Sequence, residues 1–478
     1  MTTDRTTAPH DDVDDASTGD PQHAGSIWRG PLGRSSVGLF ALAFLVAFEA
    51  FAVITVMPVV ARDLDGLGAY ALAFSVPVAV SVLARTVAAP WADRAGPAPA
   101  LAWGVALFSA GLLVAGVAGS MTWFLVGRGV QGLGTGAVGV ALHVWVARAY
   151  PARLRPRALA VMTSAWTLPA LVGPPLAGGM AHLVGWRAVF LLAPVLAGAS
   201  LLLAWSSVRA LGPGHARDGA RRRVPLLSAS CATLGVLAVA AGSQRVGPAW
   251  PALLVAGLAV VALSVRPLVP PRTWTGGRGL PSLMGARSLV ASAFFAAEVY
   301  VPLTLVDARG IAVGAAGAAL SGAALAWFAG AWLVSRPEVL RGRLGTPAVR
   351  ARWAAVGVAT GILALPLALV PAVPVPVVVV VWSVGGLGMG AAMTTLVGEV
   401  LERSPGREGE ASGALQTSDS VAESTAVALG AAVFGAVVAE GVGAAALAAF
   451  VVPALCAVGG LTMLPRAFAS SANGVGRP

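Results

Sequence analysis

The stretch LAFLVAFEAFAVITVMPVV, Leu42 to Val60, is apolar from end to end except for Glu49 near its middle. Nineteen residues rising about 1.5 Å each cover roughly 28 Å, the thickness of a bilayer's hydrocarbon core. A charge at that depth costs roughly 2.5–3.5 kcal/mol or more, so such groups face a bundle interior or a water-filled cavity. The run reads as a membrane-spanning helix whose carboxylate is kept for work.

Runs of this kind recur at about 36–60, 68–89, 98–118, 121–146, 157–182, 187–208, 225–243, 248–265, 287–306, 311–334, 353–370, 375–400, 411–438 and 441–464. Of the 478 residues, 57% are hydrophobic and 11% charged. Soluble proteins carry about 25% charged residues, so a soluble enzyme is excluded. The ten-residue alternation of a membrane β-barrel is absent from the sequence. The expected fold is an all-α polytopic membrane protein of fourteen spans. Residues 1–27 are acidic and polar and read as a disordered tail. The first apolar run is too long for a signal peptide, and nothing like a cleavage site follows it.

All 32 basic residues are arginine. With the N-terminus placed in the cytoplasm, inside segments hold 26 of them, and outside segments hold only Arg62, Arg187, Arg245 and Arg309. Arg85 and Arg128 fall within spans. This bias follows the positive-inside rule at every large loop, so the net charge of +11 is a topology signal rather than a nucleic-acid footprint. Both termini are expected in the cytoplasm of a cell that keeps the protein in its inner or plasma membrane. Cys231 and Cys456 lie in apolar runs without metal-ligand spacing, and no disulfide framework is implied.

Span four reads QGLGTGA from Gln131 and span twelve reads GGLGMGA from Gly385, 254 residues later. At the same offset Pro151-Ala152-Arg153 faces Pro405-Gly406-Arg407. Equivalence of these spans implies two six-helix units separated by two extra helices, a 6+2+6 plan. The expected divisions are a tail over 1–35, a first bundle over 36–208, loops and two inserted helices over 209–286, a second bundle over 287–464 and a tail over 465–478. Gly132 and Gly136, like Gly386 and Gly390, are four residues apart and share a helix face, which allows close backbone packing. Parallel halves related by an axis along the membrane normal are a transporter architecture.

The sequence here resembles the major facilitator superfamily, in particular its fourteen-span drug:proton antiporter branch, over most of 36–464. The loop AAPWADRAGPAP is similar to the family's cytoplasmic gating motif through Asp93, Arg94 and Gly96, although Ala89, Pro97 and Ala98 depart from it. Span four, FLVGRGVQGLGTG, carries the arginine motif through Arg128, Gln131, Gly132 and Gly134. Span five, PALVGPPLAGG, resembles the antiporter motif through Gly173 and Pro174, which in the family marks exporters. Glu49 stands nine residues before Pro58, where the branch carries an acidic residue, usually aspartate. Asp93 is a candidate helix N-cap, and the prolines of span five are expected to bend it.

Glu298 in span nine and Glu423 in span thirteen share the depth of Glu49, and Asp419 is one turn from Glu423. Each has two readings: a fixed ion pair, such as Arg128 with Glu49, or a carboxylate whose burial disfavours its charge and lets it carry a proton. Glu49-Ala50-Phe51 aligns with Glu298-Val299-Tyr300, which brings Tyr300 into the candidate set. His143 reads as helix-end polarity, and spans seven and eight as peripheral.

The expected activity is proton-coupled export of amphipathic small molecules, drugs or secondary metabolites, by alternating access. Proton-coupled uptake of a metabolite and a non-transporting membrane sensor or scaffold are the alternatives. Partners are then the small-molecule substrate, protons and the lipid bilayer, with no nucleic acid, no cofactor beyond the coupling proton and a monomeric state. No GxxxxGK[ST] sequence occurs, and there is no lysine to complete one, which excludes ATP-driven pumping by this chain.

Overall fold

A computed structural model describes residues 27–28, 30–151, 154–213, 226–245, 248–336, 345–404 and 408–469. The expected tail through residue 26 and the loop match at Arg153 and Pro405-Gly406-Arg407 lie outside them. So do the loop arginines Arg217, Arg221, Arg222, Arg223, Arg341 and Arg343.

The described residues form helices joined by short turns. They are α1 (Gly30–Asp63), α2 (Leu72–Ala95), α3 (Pro97–Gly116), α4 (Met121–Ala149), α5 (Arg155–Leu183), α6 (Arg187–Arg209), α7 (Leu226–Ser243) and α8 (Trp250–Ser264). There follow α9 (Leu280–Glu298), the four-residue α10 (Tyr300–Leu303), α11 (Val313–Val334), α12 (Pro347–Leu363), α13 (Val375–Glu402), α14 (Glu408–Val437), α15 (Val442–Ala449) and α16 (Val451–Ala467). Among the described residues, thirteen helical segments are long and apolar enough to cross a membrane, and each matches an expected span. The remaining expected span is α5, a continuous helix of 29 residues. The all-α polytopic fold is therefore as the sequence implies.

Small residues set the packing. A Cβ on Gly132 would collide with the Pro77 carbonyl, and one on Gly136 with that of Ser81, so α4 rests on α2 backbone to backbone. In the second half Gly386 meets Ala323 and Gly390 meets the Trp327 carbonyl, which seats α13 on α11 in the same way. The repeat read from the glycines is thus a repeat of helix pairs. It extends across the molecule: α1 packs on α5 and α6 as α9 packs on α14 and α16. The halves meet along two matching seams, α5 against α11 and α2 against α14.

Two expectations need correction. α9 starts at Leu280 rather than 287, so Arg287 sits two turns inside a span instead of in a loop. The inserted helices are not both peripheral: α8 is largely exposed, but α7 packs on α2 and α14 along their seam.

Candidate functional site

Proline chemistry places the first polar node. Pro77 lies inside α2 and has no N–H to offer the Ala73 carbonyl one turn back. Arg128 of α4 takes that acceptor instead, its Nε donating to Ala73 O at 2.9 Å. Its Nη1 donates to Glu49 Oε1 of α1 at 2.5 Å and to Gln131 Oε1. Glu49 and Arg128 are 7% and 5% exposed. The arginine is thereby satisfied from three sides, and the charge of Glu49 is met. Of the two readings open to this pair, the structure holds it as an ion pair. Below it, α4 opens on the Arg128 face: a Cβ on Gly139 would touch nothing within 4 Å, and His143 is exposed, its ring Nδ1 bonded to Gly139 O at 2.7 Å.

The second node lies at the α2–α14 seam. Arg85 of α2 donates from Nη1 to Ser420 Oγ of α14 at 2.7 Å. Arg287 of α9 pairs with Asp419, which also accepts from Ser288 Oγ at 2.7 Å. Glu423 interacts electrostatically with both arginines, and Glu298 with Glu423. The structure thus brings Glu298, Asp419 and Glu423 to one node with Arg85, Arg287, Ser288 and Ser420, which the sequence alone did not single out. Arg85 had a signal: like Arg128, it is a lone arginine inside an apolar run.

Glu298 differs from the other carboxylates. It is 4% exposed, and among the described residues it has no hydrogen bond and no cation paired with it. Pro302 leaves its carbonyl without the usual helical donor, and the chain continues through a π-helical turn at Thr304–Ala308. Such turns are frequent at functional sites.

Tyr300 takes a different place from that expected of a substrate contact. It is fully buried among Tyr70, Phe434 and Phe450, with ring centroids 6.2, 5.6 and 6.2 Å away. Tyr70, from the first half, donates its hydroxyl to the Val299 carbonyl at 2.8 Å. Together they close the two halves above Glu298. Farther out, Arg62 pairs with Asp307. An open pocket of about 920 Å³ lies beside that pair, between the C-terminal ends of α1 and α5 and the N-terminal end of α11, and includes His182 and Gly179.

The residues expected to gate fall in different settings. Asp93 lies in the last turn of α2, so it cannot cap α3, whose N-cap is Gly96 without a side-chain bond. Its backbone carbonyl accepts from Arg148 Nη2 at 2.6 Å, and Arg94 is exposed. Gly96 has φ +88°, and a side chain there would strike the Gly212 carbonyl. A Cβ on Gly173 would meet Phe48 and Phe51 at ordinary contact distance. The neighbouring Pro174 carbonyl lies against Gly317 of α11. Pro175 repeats the device of Pro77: it leaves the Leu171 carbonyl free, and Ser321 Oγ of α11 donates to it at 2.9 Å.

Trp382 stacks on Phe294 at 4.7 Å and Trp327 meets the same ring edge-on at 5.7 Å, so both serve packing. Trp166 is 47% exposed beside Phe51. Among the described residues, no group of three or more His, Cys, Asp or Glu side chains could hold a metal ion.

Known proteins place this architecture. The chain is 28% identical over 270 residues to a probable multidrug-efflux transporter of Mycobacterium tuberculosis, covering 56% of this chain and 52% of that protein. It is 23% identical over 171 residues to the multidrug efflux pump SdrM of Staphylococcus aureus, covering 36% and 38%. The match to an acurin A biosynthesis cluster MFS-type transporter of Aspergillus aculeatus is 27% over 198 residues, covering 41% and 36%. The chain spans about half the length of these relatives or less. A crystal structure of a POT family transporter in complex with 5-aminolevulinic acid superposes with a TM-score of 0.66 at 13% identity, over 90% of this chain and 95% of that one, a likeness of fold. All are transporters rather than enzymes. The profile of the Major Facilitator Superfamily matches residues 39–427, most of the chain, and the chain belongs to that superfamily of multi-pass membrane transporters.

Proposed function

We propose that the protein exports amphipathic small molecules from the cytoplasm across the plasma membrane in exchange for protons, as a monomer with both termini inside. The observation that carries this reading is Glu298, a carboxyl group buried at midspan without a cation or hydrogen bond of its own. An unpaired carboxylate there would bear the full cost of burial, so the group is occupied by a proton in this conformation. Glu423 interacts electrostatically with Glu298 and with the two arginines, and supplies a route for charge to pass to the seam. When the halves rock, Arg85 leaves Ser420 and the local field at Glu298 and Glu423 changes, which releases or admits the proton.

The pair Glu49–Arg128, with Gln131, is proposed as the fixed floor of the first half, with Gly139 and His143 lining the way to the cytoplasm. Sequence alone placed Glu49 first among proton carriers; its met charge moves that role to Glu298. The pocket beside Arg62 and Asp307 is proposed as the exit side. The multidrug efflux pumps among the relatives support the substrate class and the direction. Each proton moving inward gains roughly 2.3 kcal/mol per 100 mV, and about 1.36 kcal/mol per pH unit. One proton then supports export of a neutral compound against a gradient between about tenfold and several hundredfold. The test is ethidium transport in inverted vesicles under an imposed pH gradient. Accumulation that collapses with an uncoupler supports the reading; accumulation driven the opposite way, or none under any gradient, refutes it.

A further inference from the structure

The inserted hairpin α7–α8 interrupts the symmetry of the two halves, and its contacts are not symmetric. Thr233 of α7 donates its hydroxyl to the Ala79 carbonyl of α2 at 3.0 Å, with Thr233 itself buried. At the outer end Gln244 Nε2 reaches the Gly68 carbonyl, also in the first half, at 3.4 Å. Toward α14 the contact is of another kind. Ala229, Ala232 and Val236 share an apolar cluster with Ala79 and Val82 of α2 and with Val421 of α14. At the outer end Gly435 of α14 lies against the backbone of Ser243, where an added Cβ would sit 3.3 Å from the Ser243 carbonyl. One face of α7 is therefore pinned by directional bonds, and the other offers small apolar groups that make no directional bond.

Position sharpens the point. Val421 lies between Ser420, which holds Arg85, and Glu423, so α7 covers the seam directly behind the second polar node. That seam joins the two halves, and alternating access must open or shear it. A helix bonded equally to both sides would resist such motion. Apolar contacts between small side chains can be exchanged for one another as helices slide, whereas a buried hydrogen bond, once broken, leaves a costly orphan.

We propose that α7–α8 is a structural part of the N-terminal half, anchored by Thr233 and Gln244, and presents a sliding surface along which α14 moves during transport while the seam behind Arg85 stays sealed from lipid. The inference rests on the alternating-access reading above, and it assigns the hairpin a positioning role: it keeps lipid away from the seam node without contributing a residue to it.

Spin labels at the exposed positions Leu263 of α8, Trp103 of α3 and Trp353 of α12 separate the possibilities in the full-length chain. Pulsed-dipolar distances are measured in lipid nanodiscs at acidic and alkaline pH, with no substrate needed. The proposal predicts one unchanged 263–103 distance and a 263–353 distance that shifts or splits. A 263–103 distance that moves, alone or with the other, overturns it. Two fixed distances would mean that the halves do not rock, and would sink the transport cycle together with the proposal. As a second arm, a disulfide between Thr233→Cys and Ala79→Cys should leave ethidium export intact, and one between Ser243→Cys and Gly435→Cys should abolish it until reduced. Both are made with Cys231 and Cys456 replaced by serine. Export that survives the second bridge contradicts the sliding surface even if the spin-label distances agree.

Discussion

Arg85, on the N-terminal half, donates to Ser420 on the C-terminal half at 2.7 Å, and the same α14 turn carries Glu423 one step farther along. A cation of one bundle thus sits against the acidic row of the other, at a contact that alternating access has to break. Replacing Ser420 with alanine should leave Arg85 one acceptor short and free to approach Glu423. The seam then loses a hydrogen bond to a charged group, about 1.5–3 kcal/mol. Spin-label distances across α2 and α14 should show the opposite conformation more populated than in the unaltered protein; an unchanged distribution would remove this bond from the cycle.

Arg128 and Glu49 form a buried pair in which each satisfies the other. Removing one partner leaves an uncompensated charge and costs about 3–5 kcal/mol. Arg128→Met is therefore expected to lower the melting temperature of the purified protein sharply. Adding Glu49→Gln to it should recover much of the loss. A double variant as unstable as the single would show that Arg128 acts through its Ala73 bond rather than through the carboxylate.

Ser321 fills an acceptor that Pro175 leaves open on α5. The hydrogen bond is neutral and partly buried, so Ser321→Ala should cost about 1 kcal/mol of the conformation seen here. A fewfold shift between inward and outward populations, read from cysteine accessibility on either face, is expected. An effect on melting temperature with no change in accessibility would assign the bond to folding alone.

Gly390 and Gly139 make a matched pair of tests. A Cβ at Gly390 runs into the Trp327 carbonyl, and one at Gly139 meets open space. Gly390→Ala should reduce the yield of monodisperse protein severely, and Gly139→Ala should behave as the parent. Comparable behaviour of the two would mean that α11 and α13 are not packed backbone to backbone.

Much of this was legible in the residues because the bilayer leaves so few options. Length and hydropathy alone locate the helices, and the glycine pair at 132 and 136, echoed at 386 and 390, announces which helix pairs lie closest. The polar contacts were less so. A carboxylate in an apolar run declares that it has a reason to be there, but not whether an arginine on another helix meets it; Glu49 is paired and Glu298 is not, and nothing local distinguishes them. Asp93 misled because a helix end cannot be told from a helix start in a loop with proline on both sides. The place of α7 was hidden for a related reason: one threonine hydroxyl and one glutamine amide tie its hairpin to backbone carbonyls, and those carbonyls carry no mark in the sequence.

The role of Glu298 is tested most directly by Glu298→Gln, which keeps the shape of the side chain and fixes it in the neutral form. In proteoliposomes the variant should still bind ethidium and exchange it across the membrane, and it should lose accumulation driven by a pH gradient. Gradient-driven accumulation at the parent rate, with Glu298 replaced, would contradict the assignment of the proton to this residue.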